Sequence, residues 1–155
     1  MSDGAMSDGA MNDGAMNDGA MSGGAAKSFT AEAAEADEMV MRIPGTEPAE
    51  GVTAQLINID PALGLVASVI RLKPGTTIAA HSHKGFAEAH YVLEGDLTND
   101  GEEFGPGSYI THGPGVVHGP HSSRNGCRVL TVQTGHPGPE QSDHHLLDST
   151  ERGPA

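Results

Sequence analysis

The sequence predicts an all-β domain, an antiparallel sandwich or barrel, preceded by a tail that cannot fold alone. Three observations carry this expectation. From Val52 to Thr134, short runs rich in Val, Ile, Leu and Thr alternate with Gly, Pro, Asn and Asp at the spacing of small antiparallel sheets. Asn99-Asp100-Gly101 separates two such runs and is a strong hairpin signal. The aromatics are confined to Phe29, Phe86, Phe104, Tyr91 and Tyr109, so the interior must be built from Val, Ile, Leu and Ala.

The first 25 residues repeat a pentapeptide, MSDGA twice, MNDGA twice and then MSGGA. One Met per unit buries too little surface to offset the ordering of the chain, so residues 1–27 are expected to be a disordered tail. Residues 28–51 form a weak helix and a linker. Ser28 or Thr30 can cap a helix whose apolar positions are Phe29, Ala33, Ala36 and Val40, and two prolines and two glycines follow before Val52. MVMRI, Met39 to Ile43, is the strand-like piece of this stretch.

Residues 52–134 are the barrel, in about eight strands. VTAQLINID stops at Pro61, and LGLVASVIRLK stops at Pro74-Gly75. TTIAAHSH and AEAHYVLEGDLT follow, then EEF, SYITH, VVHGPH and CRVLTVQT, separated by Gly-Pro-Gly and Ser-rich turns. Residues 135–155 are polar, with Leu146 and Leu147 as anchors, and are expected to be a loosely ordered tail.

The net charge is −13, and its distribution excludes two classes of partner. Residues 1–51 hold ten acids against two bases, whereas residues 52–155 hold eleven against six. Such a chain is repelled by phosphate backbones and anionic lipid, so neither nucleic acid nor a membrane is an expected partner. The lone Cys127 rules out an intrachain disulfide and a thiolate zinc framework, leaving His and carboxylate as ligands for any metal. With no apolar span and no secretory signal, the protein is expected to be soluble and cytoplasmic.

The chemistry lies in AAHSHKGFAEAHYVLEG. On a strand, residues two apart share a face, so His81 and His83 project together, and so do Glu88, His90 and Val92 on the next strand. His118 follows a Gly-Pro-Gly loop further on. Three imidazoles and a carboxylate suit Fe(II), Mn(II), Ni(II) or Zn(II) and leave room for water or substrate.

This pattern resembles the cupin superfamily. The first cupin motif, G(X)5HXH(X)3-4E(X)6G, is matched by Gly75, His81, His83, Glu88 and Gly95. The second, G(X)5PXG(X)2H(X)3N, is matched by Gly107, Gly115 and His118, with Gly113 in place of Pro and Ser122 in place of Asn. Those departures affect loop stiffness, not ligation. The resemblance implies a double-stranded β-helix, the jelly-roll-like cupin barrel, with His81, His83, Glu88 and His118 as metal ligands. Within the superfamily the chain is similar to small single-domain cupins, among them Fe(II) dioxygenases that cleave diketones or hydroxyacetophenones and the cupin-like domain of zinc-dependent anti-sigma factors.

The leading functional expectation is therefore an Fe(II)-dependent dioxygenase acting on a small enolisable ketone or diketone. His90 is the candidate catalytic residue, as proton carrier, with a structural role or the orienting of Glu88 as its alternatives. A non-catalytic metal or ligand sensor is the second expectation, weakened because residues 1–51 offer no helical partner-binding domain. A Zn(II) or Mn(II) isomerase, epimerase or decarboxylase is the third, since only Lys84 adjoins the ligands to bind an anion. His112 and His121 are expected at the rim or surface, and His136, His144 and His145 in solvent. The resemblance also implies a homodimer, with MVMRI available for strand exchange.

Overall fold

The computed structural model describes residues 37–41, 50–135 and 144–146. The repeat tail, residues 28–36 of the expected helix, His136 and Leu147 lie outside the described residues. Every regular element among those described is a strand, and the fold is the cupin barrel that the sequence predicts.

One sheet runs in the order β1 (Glu38–Val40), β2 (Val52–Asp60), β3 (Leu65–Leu72), β11 (Cys127–Thr134), β6 (Ala87–Gly95) and β9 (Tyr109–His112). A second sheet comprises β4 (Thr77–Ile78), β10 (His121–Ser122), β7 (Leu97–Asn99) and β8 (Glu102–Phe104). A third pairing joins β5 (His81–His83) to β12 (His144–Leu146). All pairs are antiparallel.

The turns follow from side-chain chemistry. Asp60 Oδ1 accepts from the amides of Ala62 (3.1 Å) and Leu63 (3.2 Å) and folds the chain from β2 to β3. Between β7 and β8, Asp100 and Gly101 both have positive φ (49° and 84°), the backbone of the tight hairpin that Asn-Asp-Gly signals. The loop from β10 to β11 is held by Asp96, the residue between β6 and β7, whose carboxylate accepts from the Arg124 and Asn125 amides at 2.8 and 3.0 Å and from Ser123 Oγ at 3.2 Å.

Two segments depart from the expected outline. Glu38–Val40, at the end of the expected helix, is a strand added to β2, where Glu38 accepts a hydrogen bond from Thr53 and lies 3.5 Å from Arg71. Pairing with β2 overrides the helical spacing expected to run to Val40. His144–Leu146, expected in a loosely ordered tail, pairs along β5 instead.

The interior is divided by polarity. Val52, Ile70, Leu72, Ile78, Val92, Leu97, Cys127 and Val129 pack as one buried apolar cluster. Along β6 the inward residues change from Glu88 and His90 to Val92, and along β11 from Gln133 and Thr131 to Val129 and Cys127. The polar end of the barrel carries the histidines. Burial pushes the Cys127 thiol pKa up, as expected for a packing residue and not a nucleophile. Leu97→Ala in the apolar half is expected to cost about 2–5 kcal/mol in denaturant unfolding with metal binding retained.

Candidate metal centre

Backbone pairing brings the distant ligand to the first motif. His81 and His118 exchange two main-chain hydrogen bonds of 3.0 and 2.9 Å, and the Gly115 amide donates to the His83 carbonyl at 2.6 Å. The Gly113-Pro114-Gly115 turn, closed by the Val116 amide on the Gly113 carbonyl, aims His118 back at β5. His81, His83, Glu88 and His118 are all buried, and each offers one ligand atom within 4.8 Å of the others.

The ring protons can be placed from acceptors alone. His81 Nδ1 lies 2.9 Å from the Ala79 carbonyl and His118 Nδ1 lies 3.0 Å from the Val116 carbonyl. A carbonyl only accepts, so both Nδ1 atoms carry hydrogen and each neutral ring keeps its lone pair at Nε2. His118 Nε2 is buried with no hydrogen-bond partner. An orphaned lone pair facing a carboxylate and further imidazoles is what a divalent cation satisfies, so the donor set fits such an ion.

Glu88 is fixed from both flanks of β6. Gln133, its cross-strand neighbour on β11, donates from Nε2 to Glu88 Oε2 at 2.7 Å. His83 Nε2 lies 3.2 Å from the same oxygen, while His90 Nε2 lies 2.9 Å and His118 Nε2 3.8 Å from Oε1. Burial raises the Glu88 pKa, but the contacts with His83, His90 and Gln133 outweigh it and hold the carboxyl well below the usual range. The side chain is therefore an anion near neutrality, as a metal ligand must be.

His90 sits among the same groups. Its Nδ1 lies 3.0 Å from Thr131 Oγ1, directly across the sheet on β11. Its Nε2 is close to Glu88 Oε1 but has no hydrogen-bond partner, because the ring is not aligned on that oxygen. Phe86, at the loop between the ligand strands, stacks on the His83 ring at 4.2 Å.

His112 and His121 are not at the rim. His112 is paired with Glu88 across β9 and stacks on His118 at 4.3 Å, and both it and His121 are buried. The signal that could reveal them, inward orientation of short strands, depends on register that the sequence does not display. Burial lowers both pKa values, to about 4 for His112 and about 2 for His121, and neighbouring histidines add to the effect. Both are neutral when folded, so unfolding takes up protons below pH 6.5. Metal-free protein is expected to lose stability as pH falls from 6.5 towards 4, by about 2 kcal/mol at pH 4.5 from His112 alone, measured by urea unfolding. A pH-independent midpoint across that window would refute it.

Five of these side chains, His81, His83, Glu88, His90 and His121, line a cavity of about 180 Å³. The rest of its lining is Met41, Ala54, Ile70 and Ile78 with Ser68, Thr131 and Gln133, and neither Lys nor Arg is among the described residues that line it. Among the described residues, no helix is long and apolar enough to cross a membrane.

Residues 38–137 match the family described as the ChrR cupin-like domain. No curated protein matches the sequence. Among solved structures, the polyketide cyclase RemF from Streptomyces resistomycificus is similar with a TM-score of 0.63 at 24% identity, covering 81% of this chain and 89% of its own. A putative acetylacetone dioxygenase from Methylibium petroleiphilum PM1 gives 0.62 at 15% identity, over 87% of this chain and 91% of its own. KdgF from Halomonas sp. gives 0.60 at 16% identity, over 74% of this chain and all of its own. At these identities the likeness is one of fold.

Proposed function

This chain belongs to the ChrR cupin-like domain family, and from that premise we propose that it is an Fe(II)-dependent dioxygenase of a small enolisable ketone or diketone. The observation that carries the reading is the convergence of buried imidazoles and one carboxylate at a small cavity. His81, His83, Glu88 and His118 hold the ion. A cavity of about 180 Å³ suits a metabolite smaller than the drug-sized ligands of typical pockets. The described residues that line it carry no Lys or Arg to pair with the anion of a sugar phosphate, which favours a neutral ketone.

Fe(II) held there would supply Lewis acidity towards a ketone oxygen and redox chemistry for O2. The protein supplies position and proton handling. In the tautomer that donates from Nδ1 to Thr131 Oγ1, His90 keeps its Nε2 lone pair to accept the proton lost from the substrate carbon. Glu88 Oε1, at 2.9 Å, stabilises the imidazolium that results. The apolar walls exclude water from the carbanion-like carbon.

Iron-loaded protein is expected to consume O2 with a 1,3-diketone or hydroxy-ketone. Failure across a panel of both, with iron bound stoichiometrically, would reject the reading. His90→Gln is expected to lower that turnover by about 10²–10⁴-fold at unchanged iron content. Equal turnover would remove His90 from proton transfer.

A metal or ligand sensor is the second reading, favoured by the pairing of β12 with the ligand strand β5, which ties a segment distant in sequence to the ion's seat. Copurification of a partner that chelation releases distinguishes it from the enzyme. The homodimer belongs to the proposal as well, supported by the exposed Met39 and Val40 of the edge strand β1. Light scattering of a Met39→Glu, Val40→Glu variant tests it, and an unchanged dimer would exclude β1 from the interface.

A further inference from the structure

We infer that the barrel offers its divalent ion a second, inner position, held by His90, His118 and His121 and sharing His118 with the outer ligands. The three side chains are buried, and one ligand atom from each lies within 4.8 Å of the others. Bonds of about 2.1 Å to one tetrahedral ion place ligand atoms about 3.4 Å apart, so modest side-chain rotation closes the set. The inner position extends the metal-binding reading above, since it concerns where the same kind of ion can rest.

His121 is the observation that points inward. It is 4% exposed, and neither of its ring nitrogens has a hydrogen-bond partner. His90 Nε2 and His118 Nε2 are likewise without one. His90 and His121 both line the cavity of about 180 Å³ beside the outer ligands, so an ion that enters it can reach them. His90 Nε2 adds a second sign. It is buried 2.9 Å from Glu88 Oε1 and still has no hydrogen-bond partner, so its nitrogen is open to an ion.

The two positions alternate and are not filled together. His118 gives its Nδ1 hydrogen to the Val116 carbonyl, so it has one lone pair and binds one ion at a time. Two dications beside Glu88, the one carboxylate of these clusters, would also be poorly neutralised in a buried site. The seats differ in chemistry: the outer set includes a carboxylate oxygen, whereas the inner set is all imidazole and favours Zn(II), Ni(II) or Cu(II) over Mn(II) or Fe(II). An ion at the inner seat consumes the His90 Nε2 lone pair, so that form cannot move the substrate proton.

The test is metal content and affinity, read by chelator competition with Zn(II) and Mn(II). Wild-type protein is expected to hold one ion per chain at saturation. His81→Ala, His83→Ala, which disables the outer seat, is expected to keep one Zn(II), and adding His121→Phe should then weaken it at least 100-fold. A folded double variant that binds no Zn(II), or a triple variant that binds it as tightly as the double, overturns the inner seat. Two ions per wild-type chain overturns the alternation. His121→Phe in the otherwise intact chain is an independent arm: its preference for Zn(II) over Mn(II) should fall at least tenfold, and an unchanged preference also overturns the inference. Wild-type protein that binds neither metal would instead sink the metal-binding reading itself.

Discussion

His118→Ala is expected to lower Zn(II) affinity by at least 100-fold, a larger loss than either His81→Ala or His83→Ala produces. Removing groups that merely orient ligands costs about 10–100-fold, so loss of a ligand itself should reach the upper end or beyond. His118 is also the ligand common to both clusters of metal-binding side chains. Loss of His81 or His83 leaves the His90, His118, His121 set intact, whereas loss of His118 removes a ligand from each. Chelator competition measures the ranking, with the melting temperature of the metal-free proteins as a control for folding. A His118→Ala protein within tenfold of wild type would remove that residue from the centre.

Gly95→Ala is expected to destabilise the barrel by about 3–5 kcal/mol or to prevent folding. Gly95 ends β6 with φ of +79°, and an added Cβ would stand 1.9 Å from the Gly126 carbonyl oxygen and 2.8 Å from Cys127 Cα. Both are backbone atoms, so no side chain can swing away. Gly75→Ala provides the comparison, because its φ of +77° is similar but its surroundings are open. The difference between the two in urea unfolding isolates the clash from the left-handed strain. Equal losses would show that the β6 to β11 contact yields easily.

The contrast extends to what the sequence makes legible. The ligands His81, His83 and Glu88 are readable because alternation along a strand fixes their face without knowledge of the partner strand, and the spacing of the second motif adds His118. Gln133, Thr131 and His112 are not readable in that way. They matter because β11 and β9 set them opposite Glu88 and His90, and cross-strand register is a property of the folded sheet. His121 is hidden for another reason: β10 is only two residues long, too short for any periodicity to declare an inward face. TTIAAHSH, readable as one strand, divides at Ala79 and Ala80 into β4 and β5, which pair with different partners. The Asn-Asp-Gly hairpin was fully legible, because its backbone conformation is dictated by the residues within it.

β5 pairs with neither of the larger sheets; β12 runs along it, and its main chain also bonds to His118 and Gly115. Strip β12 away and the strand bearing two of the histidines becomes an open edge, with main-chain donors and acceptors facing water. β12 thus covers the edge that would otherwise stay open and closes the histidine strand within this chain.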